Sequence, residues 1–165
     1  MIRIFIQGLK DGKYDINLEV PVTEVPDLNE EFFGNISIEG QLTKLGNRYT
    51  LSGNIECSAK LICDRSLEEY IEEIYAAINL SFVIKDTDTG NKNEEEVIYY
   101  GKDDKFLDIT NEVREIFAVS LPMKRISPKY RNKSIEEIFP EYAKKLKDSN
   151  EIDERWKVLK NLKIN

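Results

Sequence analysis

Between Tyr49 and Cys63 the chain alternates with a period of two. Tyr49, Leu51, Gly53, Ile55, Cys57, Ala59, Leu61 and Cys63 share one parity; Thr50, Ser52, Asn54, Glu56, Ser58 and Lys60 share the other, and only Ile62 breaks the rule. Successive side chains of a strand point to opposite faces, so the stretch predicts one long strand with a dry side and a wet side. Fifteen residues at about 3.3 Å each span about 50 Å, far beyond the common length of five or six residues, and Gly53 is expected to bend or bulge it. Ile36, Ile38, Gly40 and Leu42 alternate in the same way, and Gly46-Asn47 offers a tight turn. Residues 33–63 therefore predict a β-hairpin.

The remaining elements follow from the same patterning. Ile2, Ile4 and Ile6 alternate, Asp11-Gly12 signals a turn, and Ile16, Leu18, Val20 and Val22 alternate again, which predicts an opening hairpin or strand pair. Val25 to Asn29 reads as a loop. Residues 67–84 carry two patterns. A capping box at Ser66-Leu67-Glu68-Glu69 with a helical stripe supports a helix over 67–75, whereas alternation from Ile74 to Ile84 supports a strand over about 70–84 preceded by a turn. The longer pattern favours the strand. Residues 86–96 are polar throughout and predict a mobile hairpin loop; as a calcium loop they fail, with Gly at the fifth position and Val97 at the twelfth, where a bidentate Glu is needed. Val97–Tyr100 predicts a short strand. A helix is expected over 108–121, capped by Asp108 or Thr110, with Ile109, Val113, Ile116, Phe117 and Leu121 as its apolar stripe and Pro122 as its stop. Ser134-Ile135-Glu136-Glu137 is a further capping box, opening a turn that Pro140 interrupts. Residues 151–164 predict a closing helix bearing Trp156.

Composition narrows the class. A chain of 165 residues with 41% hydrophobic content suits a single α+β domain over 1–165: an antiparallel twisted sheet or partial β-barrel over 1–110, then a C-terminal helical third with a basic, partly mobile segment at 122–150. No run of 18 apolar residues is present, and Met1 to Gly8 reads as a strand and not a secretion signal, so a cytoplasmic protein away from membranes is expected. Cys57 and Cys63 lie about 20 Å apart on one strand face, too far for a disulfide. With no His, a Ser-His or Cys-His nucleophile is excluded, a zinc site on two Cys would need carboxylates as well and is not expected, and no cofactor is expected. Arg65 could lower the pKa of Cys63, but a semi-buried strand-ending thiol is the plainer account, and Asp64 with Arg65 reads as a hydrogen-bonded corner.

The net charge of −7 is unevenly placed. Pro122 to Asn165 carries twelve Lys and Arg against seven Asp and Glu, leaving the first 121 residues with twelve against twenty-four. The body is acidic and the tail basic. Residues 124–133 hold five positive charges and no negative one, with Tyr130 among them; they could grip RNA phosphates or form a solvated loop.

Three blocks of the chain resemble the YceD family, the large ribosomal RNA subunit accumulation proteins. The first is Cys63-Asp64-Arg65-Ser66-Leu67 at the strand end, where the family typically has Cys-x-Arg-Cys-Leu. The second is Leu121-Pro122-Met123-Lys124 after an acidic-led helix. The third is Asp153-Glu154-Arg155-Trp156 with a leucine-lysine helix following. The resemblance implies a non-enzymatic factor for large-subunit RNA accumulation or assembly, binding ribosomal RNA or a basic ribosomal protein in a ribosomal precursor. It points to Cys63, Asp64, Arg65, Leu67, Leu121, Pro122, Met123, Lys124, Arg125, Lys129, Arg131, Arg155 and Trp156 as motif or interaction residues. Many relatives carry a cysteine-rich stretch after the Leu-Pro block. Here residues 125–150 contain no Cys and Ser66 replaces the second Cys of the corner, which implies a zinc-free variant. Two other classes remain open from the residues alone, a ligand-binding β-barrel-like module and an enzyme using Cys63.

Overall fold

The protein is described by a computed structural model that covers residues 1–84 and 97–141. They fall into two compact units: Met1–Leu61 with Glu69–Met123, and Ile62–Glu68 with the described residues from Lys124 onward.

In the first unit, strands β2 (Gly12–Pro21), β3 (Phe32–Leu45), β4 (Arg48–Ile62), β5 (Glu69–Ile84) and β6 (Val97–Tyr100) form one open sheet in that order. The long hairpin is β3 with β4. Leu45 faces Arg48 across Gly46-Asn47, where Gly46 takes φ +59°, a conformation open to glycine at little cost. Strand β5 starts at Glu69, so the alternating pattern wins over the helical one. Its inward positions Ile74, Ile78 and Phe82 are buried, and that burial outweighs the local capping signal.

Three expectations are corrected. Strand β1 (Arg3–Phe5) does not pair with β2. Gly8, at φ +77°, turns the chain away, and β1 pairs instead with β7 (Phe106–Asp108) in a separate two-stranded sheet. The five-stranded sheet is mixed, because β6 runs parallel to β5 and the two are not arms of one hairpin. The hairpin loop and rejected calcium loop at 86–96 lie outside the described residues. Gly53 stays in register opposite Gly40, and the irregularity of the hairpin falls between Phe33 and Ser37, where Gly34 has φ +81°.

Helix α1 (Thr110–Ser120) packs on β5 and closes the core. Val113 and Phe117 of its stripe are fully buried, as is Ile109 just before it, and the Phe117 ring lies 5.0 Å from that of Phe32. Asp108 serves the helix start, its carboxylate accepting from the Thr110 N–H at 3.0 Å. The Thr110 hydroxyl in turn accepts the Ile2 N–H at 2.8 Å, tying β1 to the helix. Ile36, Ile38, Leu42, Leu51, Ile55 and Leu61 supply the sheet's side of this core, each such side chain contributing about 1.5–3 kcal/mol by burial.

In the second unit, helix α2 (Ile135–Ile138) opens with the expected capping box: Glu137 accepts the Ser134 N–H at 2.9 Å, and the Ser134 hydroxyl accepts the Glu137 N–H at 3.2 Å.

Candidate functional site

The strand-ending corner Cys63–Glu68 and the basic segment 124–133 lie some sixty residues apart in sequence and meet in the second unit. Asp64 makes a reciprocal pair with Arg125. Its N–H donates to the Arg125 carbonyl at 2.7 Å, and its carboxylate accepts the Arg125 N–H at 2.7 Å. Arg65 reaches further along the segment, donating to the carbonyl of Tyr130 at 3.0 Å and to that of Lys133. Glu68 accepts the Tyr130 hydroxyl at 2.9 Å and pairs with Lys129 at 3.6 Å. Lys129 also sits 4.8 Å from the centre of the Tyr130 ring, within cation–π range. The Tyr130 hydroxyl, with help from Lys129, holds the Glu68 carboxyl below the usual carboxylate range despite some desolvation.

Asp64 and Arg65 thus form the expected hydrogen-bonded corner, but with the basic segment and not with each other. What sequence reasoning missed is Glu68 and its pairing with Tyr130. The one available signal was charge: an acid beside the motif facing a segment with five cations and none of its own acids.

Cys63 is buried, and the Ser127 N–H points at its sulfur at 3.4 Å. Burial pushes the thiol up, but the Ser66 hydroxyl and the N–H groups of Ser127, Ser66 and Arg65 together prevail and bring it down to about 7. Cys57 lacks such a cradle, and burial raises it to about 11. Between pH 7 and 9 the folded state therefore binds fewer protons at Cys63 than the unfolded chain does, so stability rises with pH there. The stability difference between wild type and Cys63→Ser is expected to grow from pH 7 to pH 9 in denaturant titrations. A flat difference would show that the thiolate is not favoured by the fold.

Leu67 has φ +60° and is 78% exposed. A left-handed leucine costs about 1–2 kcal/mol, so Leu67→Gly is expected to stabilise the corner by about 1 kcal/mol in equilibrium unfolding. A loss of stability would mean that Leu67 packs in solution.

Of the other expected residues, Leu121 ends α1 half-buried, Pro122 follows it, Met123 is fully exposed, and Lys124 and Arg131 are at the surface. Arg155 and Trp156, with the whole of 151–164, lie outside the described residues. Among the described residues, Cys63 is a single thiol already cradled by N–H groups, and no group of three His, Cys, Asp or Glu side chains could hold a metal ion. Among the described residues, no helix is long and apolar enough to cross a membrane.

The first unit carries an open cleft of about 330 Å³ between Ile6, Tyr49, Ile84 and Tyr100, with Lys44, Lys102 and Asp103 at its edge. Asp11 holds Lys44 at 2.8 Å.

A family model for large ribosomal RNA subunit accumulation protein YceD matches residues 51–163, well over half of the chain. The chain belongs to the YceD family. The match begins in β4 and takes in all three of the quoted blocks, including both halves of the corner contact. No curated protein and no solved structure matches the chain. As its family description has it, this YceD protein has a role tied to the large ribosomal subunit's RNA.

Proposed function

We propose that this YceD protein is a non-enzymatic, cytoplasmic accessory factor in the accumulation or assembly of large-subunit RNA, acting by binding a basic ribosomal protein or ribosomal RNA. The observation that carries the binding mode is the charge division, twelve cations against twenty-four acids before Pro122. Such a surplus repels phosphate and attracts lysine- and arginine-rich chains, so a basic ribosomal protein is the favoured partner. The loop held by Asp64, Arg65 and Glu68 is left to touch RNA. A non-enzymatic role is supported by the burial of Cys63.

Co-sedimentation of the purified protein with ribosomal precursor particles at low and high salt tests the proposal. Binding that weakens as salt rises is expected; no binding at low salt overturns it. Against an enzymatic role, Cys63→Ala is expected to retain function in cells wherever it folds, and selective loss of function with the fold intact would favour the enzyme.

A further inference from the structure

One face of the five-stranded sheet covers the core and the other meets solvent. Exposed on the solvent side are Asp15, Glu19, Glu39, Glu56, Glu69 and Glu73, against Lys13, Arg48 and Lys60. The strand pairing draws several of these acids together: Glu19 is opposite Ser37, which is opposite Glu56, while Glu39 is opposite Asn54 one step along. The Ser58 hydroxyl donates to Glu73 at 2.8 Å, and Lys60 is taken up by Glu69 at 2.7 Å.

Several large apolar side chains stand on the same face: Phe33, Leu45 and Ile62 toward the ends of β3 and β4, and Ile71 and Tyr75 on β5. Ile71 and Tyr75 share the parity of Glu69 and Glu73 and are 61% and 67% exposed. The period of two would place polar residues at the β5 positions, as it does along β2 and along β4 as far as Lys60. A solvent-facing apolar pair rimmed by charge is the pattern of a docking surface.

We propose that this outer face of β2 to β5 docks a lysine- and arginine-rich polypeptide segment with apolar side chains at intervals. Ile71 and Tyr75 take the apolar anchors, and Glu39, Glu56 and Glu73 take the cations. Charge decides the occupant. A nucleic acid would bring phosphates against six carboxylates, and a second copy related by a twofold would set this acidic face against itself. A basic chain meets neither penalty. The inference rests on the proposed basic-protein partner and names the surface that would hold it.

The test uses the full chain and, as probe, the basic proteins extracted from purified large ribosomal subunits. Apparent affinities at near-physiological salt are compared for wild type, Glu39→Lys with Glu56→Lys, and Tyr75→Thr. A control, Asp103→Lys with Glu115→Lys, makes the same charge change at exposed sites off this face. The expected result is about a tenfold loss for the face pair, several-fold for Tyr75→Thr, and less than about twofold for the control. Zero-length carboxylate–lysine crosslinking of the unaltered protein gives an independent readout, expected to join Glu39, Glu56 or Glu73 to the bound protein. If the probe binds but face and control variants weaken it equally, or crosslinks map elsewhere, the surface is wrong and the proposed function stands. If wild type retains no basic protein and binds protein-free large-subunit RNA instead, the protein-partner proposal falls and this inference with it.

Discussion

Gly53→Ala is expected to destabilise the protein by about 3 kcal/mol or more, the upper part of the range for overpacked cores. Gly53 and Gly40 face each other across β3 and β4 with their backbones nearly touching. A Cβ on Gly53 would collide with the Glu39 carbonyl and lie 2.5 Å from the Gly40 Cα; one on Gly40 would lie 2.6 Å from the Ser52 carbonyl oxygen. Both obstacles are backbone, which cannot rotate aside as a flexible side chain can. The two strands would have to separate in the middle of the longest hairpin, where Ile38, Leu42, Leu51 and Ile55 flank the pair in the core. Urea unfolding measures the effect. A change below about 1 kcal/mol would show that the hairpin relaxes around the added methyl.

Arg65→Ala is expected to loosen the basic segment without unfolding the sheet. The guanidinium spans two carbonyls, those of Tyr130 and Lys133, and hydrogen bonds from a charged donor contribute about 1.5–3 kcal/mol each. Its loss should speed exchange of the Tyr130 and Lys133 amides, which donate to Ser127 and Tyr130 carbonyls, by about 10- to 100-fold. Both bonds leave one guanidinium nitrogen, Nη1, so Arg65→Lys, whose single ammonium can also donate twice, should rescue part of this. Unchanged exchange in Arg65→Ala would mean that the Asp64–Arg125 and Glu68–Tyr130 contacts suffice alone.

The sequence made legible whatever is local and periodic. The β3–β4 hairpin, the α1 stripe and the capping box at Ser134 each arise from residues within a few positions of one another, so alternation, 3.6-residue spacing and cap chemistry reveal them. The β1–β7 pairing leaves no such trace, since either strand alternates equally well against any partner. The parallel direction of β6 leaves none for the same reason. Gly53 stands out in the alternation, but a bulge and a close backbone approach make the same demand on a residue, and only the strand pairing distinguishes them. At the site, Asp64 and Arg65 could be read as hydrogen-bonding residues from their position in a polar corner. Their partners are backbone groups of Arg125, Tyr130 and Lys133, which every residue possesses and no sequence pattern advertises.

The pairing of β1 with β7 also bears on how the chain is born. Arg3 and Asp108 are neighbours separated by 105 positions, so the first strand emerges from the ribosome long before its mate. At about 5–20 residues per second, Ile2, Ile4 and Ile6 wait roughly 5–20 seconds with their greasy side uncovered. Until then the nascent chain can complete its central hairpin but not seal its beginning, and that interval is when a chaperone would have most to hold.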